Sequence, residues 1–467
     1  MESVGVVRPA LVAGVRPSLV PLSFAQQRMW FLNQFEDGAP TYNMPAAFRL
    51  CGALDVAALQ AAIDDVIIRH ESLRTVVVDV DGMPVQHVLA TPDGRHSLLP
   101  VDVEPDALGH VLADFARHRF DISTDIPFHA AVFRCGVDDH VLAIVMHHIA
   151  CDGWSLRPLT RDVLTAYRTR CRGAGPDWDP LPVQYADYAV WQRELLGHES
   201  DPDSLMAHQL AYWGEQLDGL PETLALPLDR PRPPVSSYRG DAVDVHIPAP
   251  LWAGVTALAA QHNVTASMLL QALTVVLLHR VTGEEDIAVG APIAGRMDDA
   301  LDDLVGFFVN TWVLRARVRA GDRFLDVLDQ VRRRALDAYS NQDVPFERLV
   351  EWINPTRSAA YHPLFQVAMA FQNNLGYHVE LEDIVVEELT VTTGTAKFDL
   401  DFDIAETFDE HSAQPSATGT LAYATDLFDR STVERFVAWL LRLTEAVVTD
   451  PAVVIGDVDL LDPTERD

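Results

Sequence analysis

The hydrophobic pattern of the chain changes most sharply within residues 141–155, VLAIVMHHIACDGWS. The first six residues form a continuous apolar run with β-branched side chains, which is typical of a strand buried on both faces. His147 and His148 end this run, and Ser155 favours the start of a helix after it. Pro158 lies in the first helical turn, where proline is tolerated. The pattern predicts a strand, a tight loop and a helix, with two imidazoles at the strand end.

Strands and helices alternate along the rest of the chain, which predicts an α/β fold. Ser23 and Gln26 favour a capping box at the first helix, and Asp81 and Gly82 favour a hairpin turn. Helices are predicted at 23–35, 54–69, 156–170, 185–196, 201–217, 248–262, 267–283, 324–339 and 431–448. Strands or extended segments are predicted at 75–80, 84–89, 131–134, 140–146, 242–247, 287–291, 306–310, 312–318, 365–371, 397–404 and 421–424.

The length of 467 residues exceeds what one ordinary hydrophobic core organises, so two large lobes are expected. Residues 221–234 contain five prolines and are predicted to link an N-terminal lobe, 22–220, to a C-terminal lobe, 235–467. Residues 1–21 are rich in Val, Pro, Ala and Arg without a clear period, which indicates an interdomain linker.

The formal net charge of −33 argues against nucleic acid or an anionic membrane as a partner, because both require a basic surface. No apolar run approaches the roughly 18 residues of a membrane span, and the N-terminus lacks the pattern of a signal peptide. The four cysteines have no CxxC spacing and are interpreted as free thiols. These features predict a cytoplasmic protein.

The loop sequence HHxxxDG suggests acid–base chemistry. Histidine titrates near neutrality and can accept a proton from an amine, an alcohol or a thiol. The alternatives are a structural pair of satisfied polar groups and a metal site. Adjacent strand residues point to opposite faces, so His147 and His148 are poorly placed to share one ion, and no metal is expected. The loop alone does not decide between catalysis and structure.

Further motifs accompany this loop, and together they resemble the condensation domains of nonribosomal peptide synthetases over nearly the whole chain. HHIACDG resembles the active-site motif of that family. The other motifs follow in the family's order: LSFAQQRMWFL at 22–32, RHESLRT at 69–75, YADYAVWQ at 185–192, VGFFVNTWVLR at 305–315, NQDVPFERLV at 341–350 and, more loosely, RSAAYHPLFQV at 357–367.

This resemblance implies two chloramphenicol-acetyltransferase-like lobes that form a V with an active-site tunnel between them. It also implies that two segments of the second lobe cross to the first, a floor loop near 291–308 and a latch near 373–397. Residues 1–21 would then connect the domain to an upstream carrier domain.

The implied activity is that of an acyltransferase that forms a peptide bond. A donor aminoacyl or peptidyl thioester and an acceptor aminoacyl thioester would both be held on phosphopantetheine arms. The expected partners are the upstream and downstream peptidyl carrier domains and a neighbouring adenylation domain. We expect no intrinsic cofactor and a monomeric domain. The alternatives are a non-catalytic module that docks carriers and a stand-alone acyltransferase that uses a soluble thioester.

His148 matches the catalytic histidine of the family, either as a base or as a positioning and electrostatic group. His147 is expected to support the loop. Asp152 carries a charge that is costly to bury alone, so we expect it to pair with Arg296 and shape the loop. Gly153 is expected to permit the turn and to offer its N–H to an oxyanion.

Trp154 completes the loop motif and is grouped with its supporting residues. Asn310 and Trp312 are candidates for the tunnel lining, with ordinary packing as the alternative. LSFAQQRMWFL and DGWS most resemble the subtype that joins an L-donor to an L-acceptor. Oxygenase-recruiting X domains lack the second histidine, which this chain retains. The sequence departs from the family pattern at His362, where asparagine is usual, and at Cys151, where serine or another small residue is common.

Overall fold

The computed structural model describes residues 8–35, 38–90, 98–372, 380–381, 384–408 and 414–461. The helices are α1 (Phe24–Phe35), α2 (Val56–Arg69), α3 (Leu108–Ala116), α4 (Leu156–Cys171), α5 (Tyr185–Leu196), α6 (Leu205–Leu217), α7 (Ala249–Gln261), α8 (Ala266–Thr282), α9 (Phe324–Ser340), α10 (Phe346–Ile353) and α11 (Arg430–Thr449). The strands are β1 (Val20–Pro21), β2 (Asn43–Gly52), β3 (Thr75–Val80), β4 (Met83–Val88), β5 (Val101–Asp102), β6 (Phe128–Arg134), β7 (Asp139–His147), β8 (Gly240–Ile247), β9 (Asp286–Ile293), β10 (Asn310–Arg317), β11 (Val367–Gln372), β12 (Glu380–Leu381), β13 (Ile384–Leu389), β14 (Leu400–Thr407) and β15 (Ser416–Ala424).

The chain divides into two compact units, each assembled from separate stretches of sequence. Unit 1 comprises Met1–Met206 with two later segments, Ala294–Val309 and Tyr377–Thr393. Unit 2 comprises Ala207–Ile293, Asn310–Gly376 and Gly394–Asp467. Each unit contains a six-stranded sheet with helices, which confirms the predicted α/β class.

The main sheet of unit 1 has the order β12-β13-β2-β7-β6-β5. Strand β7 lies near its centre, antiparallel to β2 and to β6, with His147 opposite Asn43. Every residue of β7 from His140 to His147 is buried, as the apolar run predicts. Helices α2 and α4 contribute Ile63, Val66 and Leu159 to the core cluster that contains Ile144 and Met146. A small sheet, β1-β4-β3, completes the unit.

The sheet of unit 2 has the order β10-β9-β11-β14-β15-β8. Strand β11 runs parallel to β9 and β14, and the other neighbours are antiparallel, so this sheet is mixed. Helix α8 is buried around almost its whole circumference, from Met268 to His279. Thr265 caps it by accepting a hydrogen bond from Met268 N at 3.1 Å.

Most predicted elements are confirmed, including the capping box. Ser23 N donates to Gln26 Oε1 and Gln26 N donates to Ser23 Oγ, both at 3.1 Å. Asp81 and Gly82 both have positive φ, 54° and 82°, which fits the two-residue turn between β3 and β4. The pattern missed β2, α3, α10, β13 and the two-residue strands β1, β5 and β12. Residues 306–309, which were predicted to be extended, belong to no strand, and β10 begins at Asn310.

Two segments predicted as linkers pack against the units. In the described part of residues 1–21, Leu11 is buried and Arg16 forms 2.7 Å ion pairs with Glu71 and Asp187. The proline-rich segment 221–234 packs on unit 2, where Arg232 pairs with Asp399.

The change of unit falls at Met206, near the start of α6, and so differs from the predicted boundary at 221–234. The predicted floor loop, 291–308, and latch, 373–397, overlap the two later segments of unit 1, although 373–379 and 382–383 lie outside the described residues. Their roles as floor and latch stay predictions.

Within the described ranges, no single helix is long and apolar enough to cross a membrane. Helices α7 and α8 meet the length and composition criteria only as a pair, and they are bent by 105°.

Candidate active site

The HHxxxDG loop lies entirely in unit 1, where β7 ends and α4 begins. His148 N donates to Tyr42 O at 2.9 Å, and Ala150 N donates to His147 O at 3.0 Å, which closes a tight turn directly after the strand. Residues Gly153–Ser155 then form a 3₁₀ turn that leads into α4. The loop is therefore held by backbone hydrogen bonds at both ends.

The His148 ring is oriented by the loop itself. His148 Nδ1 lies 2.9 Å from the carbonyl oxygen of Cys151. A carbonyl only accepts hydrogen bonds, so Nδ1 carries a proton, and in the neutral ring the lone pair is on Nε2. The ring also packs against Phe307, with 4.8 Å between ring centroids. This arrangement fixes the tautomer whose basic nitrogen is Nε2.

His147 has the opposite arrangement. Its Nδ1 accepts a hydrogen bond from Ile149 N at 3.1 Å, so in the neutral ring the proton is on Nε2. Only 2% of the residue is exposed, and its ring makes an edge contact with Phe120 at 6.0 Å. These contacts are those expected of a residue that supports the loop.

Asp152 is fully buried and accepts hydrogen bonds through both carboxylate oxygens. Oδ1 accepts from Ser155 N at 2.9 Å, and Oδ2 accepts from Phe308 N at 2.9 Å and Val309 N at 3.2 Å. Arg296 Nη2 lies 3.3 Å from Oδ1, so the predicted pair is present. A buried carboxylate is tolerated only with such full pairing, and here the pairing fastens the loop to residues 306–309.

Arg296 extends this network. Its Nη1 donates to the carbonyl oxygens of Leu301 and Leu304, and its Nη2 also donates to Ser155 Oγ at 3.0 Å. The guanidinium lies over the ring of Phe308, 4.4 Å from its centroid. Arg296 thus shapes residues 301–308 as well as neutralising Asp152.

Two glycines allow this segment to approach closely. A Cβ on Gly306 would lie 2.3 Å from Tyr185 Cδ2, and a Cβ on Gly295, where φ is +67°, would lie 2.0 Å from Phe308 O. Gly306 N donates to Ser155 Oγ at 3.1 Å, and Tyr185 Oη donates to Phe307 O at 2.6 Å. Sequence reasoning assigned no role to Gly306 or Ser155 in this network. Their roles depend on a contact between residues far apart in the chain, which no local sequence pattern shows.

The remaining residues of the loop are Cys151, Gly153, Trp154 and Ser155. Cys151 is fully buried, and burial raises the pKa of its thiol well above the ordinary value, which favours the protonated thiol over the thiolate. Gly153 belongs to a right-handed 3₁₀ turn, so backbone conformation alone does not require glycine there. Trp154 is partly buried in the same turn. Ser155 is the N-cap residue of α4, as predicted, but its side chain makes no hydrogen bond to that helix. Its Oγ accepts from Asp152 N at 3.3 Å in the preceding 3₁₀ turn and belongs to the Asp152 network.

Asn310 and Trp312 lie in unit 2 and are occupied by structural contacts. Asn310 Nδ2 donates to Gln342 O and Val344 O at 2.9 and 2.8 Å, and its Oδ1 accepts from Phe346 N at 3.1 Å. Trp312 is 3% exposed. These contacts hold the start of α10, and a role in lining the tunnel stays a prediction.

A second buried network, which sequence reasoning did not identify, involves Asp162 on α4. Asp162 accepts hydrogen bonds from Arg69 Nε at 2.8 Å and Arg161 Nε at 2.9 Å. His70 Nε2 lies 2.9 Å away, and His70 Nδ1 accepts from Val305 N at 3.3 Å. The His70 imidazole therefore links the Asp162 carboxylate to the backbone of Val305.

Unit 1 also contains an apolar cavity of about 80 Å³ that is partly open to solvent. It lies between the sheet face of β2 and β7 and one side of α4, and we call it the α4 cavity. Its lining is almost entirely aliphatic and includes Met146, the residue before His147, and Leu156, the residue after Ser155. None of the residues of the HHxxxDG loop lines it.

Comparisons with known proteins agree on one family. The family model described as Condensation domain matches residues 18–467. A probable non-canonical nonribosomal peptide synthetase of Salinispora arenicola is 50% identical over 465 residues, 100% of this chain and 6% of that protein. The isonitrile lipopeptide synthase of Mycobacterium tuberculosis is 48% identical over 98% of this chain and 18% of its own length. A dimodular nonribosomal peptide synthase of Bacillus subtilis is 46% identical over 98% of this chain and 19% of its own. This chain thus spans less than a fifth of each synthetase.

Solved structures show the same fold. The X-domain from teicoplanin biosynthesis has a TM-score of 0.89 and 32% identity, over 97% of this chain and 100% of that one. The first condensation domain of the calcium-dependent antibiotic synthetase has a TM-score of 0.76 at 17% identity, over 96% and 100% of the two chains, which bears on the fold alone. The expected chloramphenicol-acetyltransferase-like fold is confirmed. Condensation domains catalyse amide-bond formation, an acyltransferase-type reaction, and this chain belongs to the condensation-domain family of nonribosomal peptide synthetases.

Proposed function

We propose that this chain joins a donor aminoacyl or peptidyl thioester to the α-amine of an acceptor aminoacyl thioester, with both substrates held on phosphopantetheine arms of carrier domains. The partners would be an upstream and a downstream carrier domain and a neighbouring adenylation domain. Relatives that are multidomain synthetases support this assignment. The family's L-donor and L-acceptor subtype is the finer proposal, based on LSFAQQRMWFL and DGWS.

One observation carries the proposed mechanism, the hydrogen bond between His148 Nδ1 and Cys151 O at 2.9 Å. It leaves Nε2 as the basic nitrogen of a ring that cannot rotate without losing that bond. We assign Nε2 as the base that accepts the proton of the attacking amine. The amine nitrogen bonds to the thioester carbon, the carbon–sulfur bond breaks, and the proton passes to the leaving thiolate. Holding both arms at one point lowers the barrier further by proximity.

Asp152 and Arg296 are positioning residues in this scheme. They bind the loop to residues 301–309 and do not reach the reacting atoms in our assignment. A rigid loop is needed because general-base catalysis requires Nε2 within hydrogen-bonding distance of the amine.

The test is peptide transfer between loaded carrier domains, followed by intact-protein mass spectrometry. We expect His148→Ala to slow transfer by about 10²-fold or more, the size of a general-base contribution. His198→Ala, which changes an exposed histidine, serves as the matched control and should match wild type. Equal rates for His148→Ala and wild type would refute the catalytic assignment. Carrier binding without transfer by wild type would favour the docking module instead.

A further inference from the structure

The segment 305–309 is fastened to the rest of unit 1 at each of its five residues. Its backbone N–H and carbonyl groups bond to five side chains that are each no more than 3% exposed, namely His70, Ser72, Asp152, Ser155 and Tyr185. Burying a polar side chain is costly unless it is paired, and here all five pairings converge on one short segment. The segment is therefore fixed along its whole length.

Within this segment, Phe307 contacts the imidazole of His148. The two ring centroids are 4.8 Å apart and the ring planes are inclined by 55°. This separation lies in the range of about 4.5–7 Å over which aromatic rings attract each other. Phe307 is 8% exposed, so its own ring is confined by its neighbours. It therefore forms a fixed wall on one side of the His148 ring.

His148 needs such a wall because its orientation otherwise depends on one hydrogen bond. The bond from Nδ1 to Cys151 O holds the ring only while it is intact, and a rotation of the side chain breaks it. Such a rotation would displace Nε2, and a misplacement of about 1 Å can cost about 10²-fold in rate. On the side that it covers, the Phe307 ring opposes this rotation.

Tyr185 holds the backbone of Phe307 in turn. Its Oη donates to Phe307 O at 2.6 Å, because a carbonyl oxygen only accepts hydrogen bonds. The phenol has a single proton, so the Ser23 hydroxyl, 2.8 Å from the same Oη, is the donor in that contact. Tyr185 begins α5 and Ser23 directly precedes α1. Phe307 is therefore anchored to the starts of two helices.

We propose that Phe307 is a positioning residue for His148 and that Tyr185 acts through Phe307. This inference rests on the proposed function, in which Nε2 of His148 accepts the proton of the attacking amine. The Phe307 ring keeps the bond from Nδ1 to Cys151 O formed, which keeps the proton on Nδ1 and the lone pair of Nε2 in one direction. Neither Phe307 nor Tyr185 exchanges a proton with the substrates.

The first test measures peptide transfer between loaded carrier domains at varied carrier concentration. Phe307→Ala should lower kcat by about 10- to 100-fold and leave KM for each carrier within about threefold, because displacing the base affects the chemical step. Phe307→Leu keeps an apolar side chain beside His148 and should lose less. Phe133→Ala is the matched control. Phe133 is 6% exposed and lies opposite Val141, near the other end of β7 from His148, so this variant should keep the kcat of wild type.

The second test observes the His148 ring directly. Nitrogen-15 NMR of histidine-labelled protein distinguishes the Nδ1–H tautomer from the Nε2–H tautomer, and the signal lost in His148→Ala identifies the residue. Wild type should show the Nδ1–H tautomer, and Phe307→Ala should show a mixture of both. Tyr185→Phe should change kcat and the tautomer in the same direction but less, and it should add little in the Phe307→Ala background, since it acts through Phe307.

The outcomes separate this inference from the proposed function. Equal kcat in Phe307→Ala and Phe133→Ala, or an unchanged His148 tautomer in Phe307→Ala, overturns the positioning role, and transfer by wild type then still supports the proposed function. A changed tautomer in Phe307→Ala, with no transfer by wild type from any donor, supports the positioning role and refutes the proposed function. If Phe307→Ala does not fold, wild-type kcat and tautomer in both Phe307→Leu and Tyr185→Phe overturn the inference.

Discussion

Two buried aspartates flank the start of α4, and both hold the same returning segment of chain, but they do so differently. Asp152 accepts hydrogen bonds directly from the backbone of Phe308 and Val309. Asp162 has no such bond and acts through His70, whose other nitrogen accepts from Val305 N. The direct contact depends on one carboxylate and one arginine, whereas the indirect contact adds an imidazole, a group that can take up a proton as the pH falls. One segment is therefore held by one pH-insensitive partner, Arg296, and one pH-sensitive partner, His70.

The largest effect is expected from removing the direct contact. Asp152→Ala leaves two backbone N–H groups and the Arg296 guanidinium buried without their acceptor. Losing one partner of a buried charge pair typically costs about 3–5 kcal/mol, and we expect that loss in the free energy of unfolding measured by chemical denaturation. Asp102→Ala, which breaks an exposed ion pair with Arg134, is the control and should change little.

A double variant tests the cause of that loss. Asp152→Ala with Arg296→Met removes the stranded charge, so part of the lost stability should return, and the two substitutions should not be additive. If the loss in the double variant equals the sum of the two single losses, the pair does not act as one unit.

The indirect contact predicts a pH dependence. Burial lowers the pKa of His70 below its ordinary value of 6.5, despite the opposing effect of Asp162, so the unfolded chain binds the proton first as the pH falls. The contribution of His70 to the free energy of unfolding should then be full above about pH 6.5 and decline below it, by at most about 1.4 kcal/mol per pH unit. His70→Gln, which keeps a donor and an acceptor, should remove this slope in denaturation curves.

His198→Gln provides the reference for that experiment. His198 is exposed, so this substitution removes one histidine without changing the Asp162 network. If the free energy of unfolding depends on pH equally in wild type and in His70→Gln, then His70 does not make the indirect contact more pH-sensitive than the direct one.

The smallest effect is expected at the edge of the same segment. Asp303 forms an ion pair with Arg161, but the two side chains are 57% and 47% exposed. Exposed pairs contribute about 0–1 kcal/mol, so Asp303→Asn should lower the free energy of unfolding within that range, and less in high salt. If Asp303→Asn lowers the free energy of unfolding as much as Asp152→Ala does, then solvent exposure does not explain the difference between these contacts.

Local patterns were sufficient where the stabilising contacts are also local. The capping box of Ser23 and Gln26 and the hairpin at Asp81 and Gly82 involve partners within a few residues, and both appear as predicted. The pairing of Asp152 with Arg296 was also predicted, because a buried charge requires a counter-charge and few arginines stand in a recognisable motif.

Elements that depend on distant partners were missed. Strand β13 has an exposed, acidic sequence that suggests a loop, yet it pairs with β2, more than 300 residues earlier in the chain. Strand β2 contains Pro45 and lacks a clear alternation, so it is recognisable only between β7 and β13. Both owe their conformation to the hydrogen bonds of neighbouring strands, which no short window of sequence contains.

The amino-acid sequence by itself determined the strand, loop and helix around His148, the α/β class and the family motifs, because these follow from periodicity, capping and residue chemistry within short stretches. Only the tertiary structure decided the His148 tautomer, the two routes by which Asp152 and Asp162 hold residues 305–309, and the α4 cavity. Each of these depends on which carbonyl, N–H or empty volume lies next to a side chain. That proximity is created by packing between residues far apart in the chain.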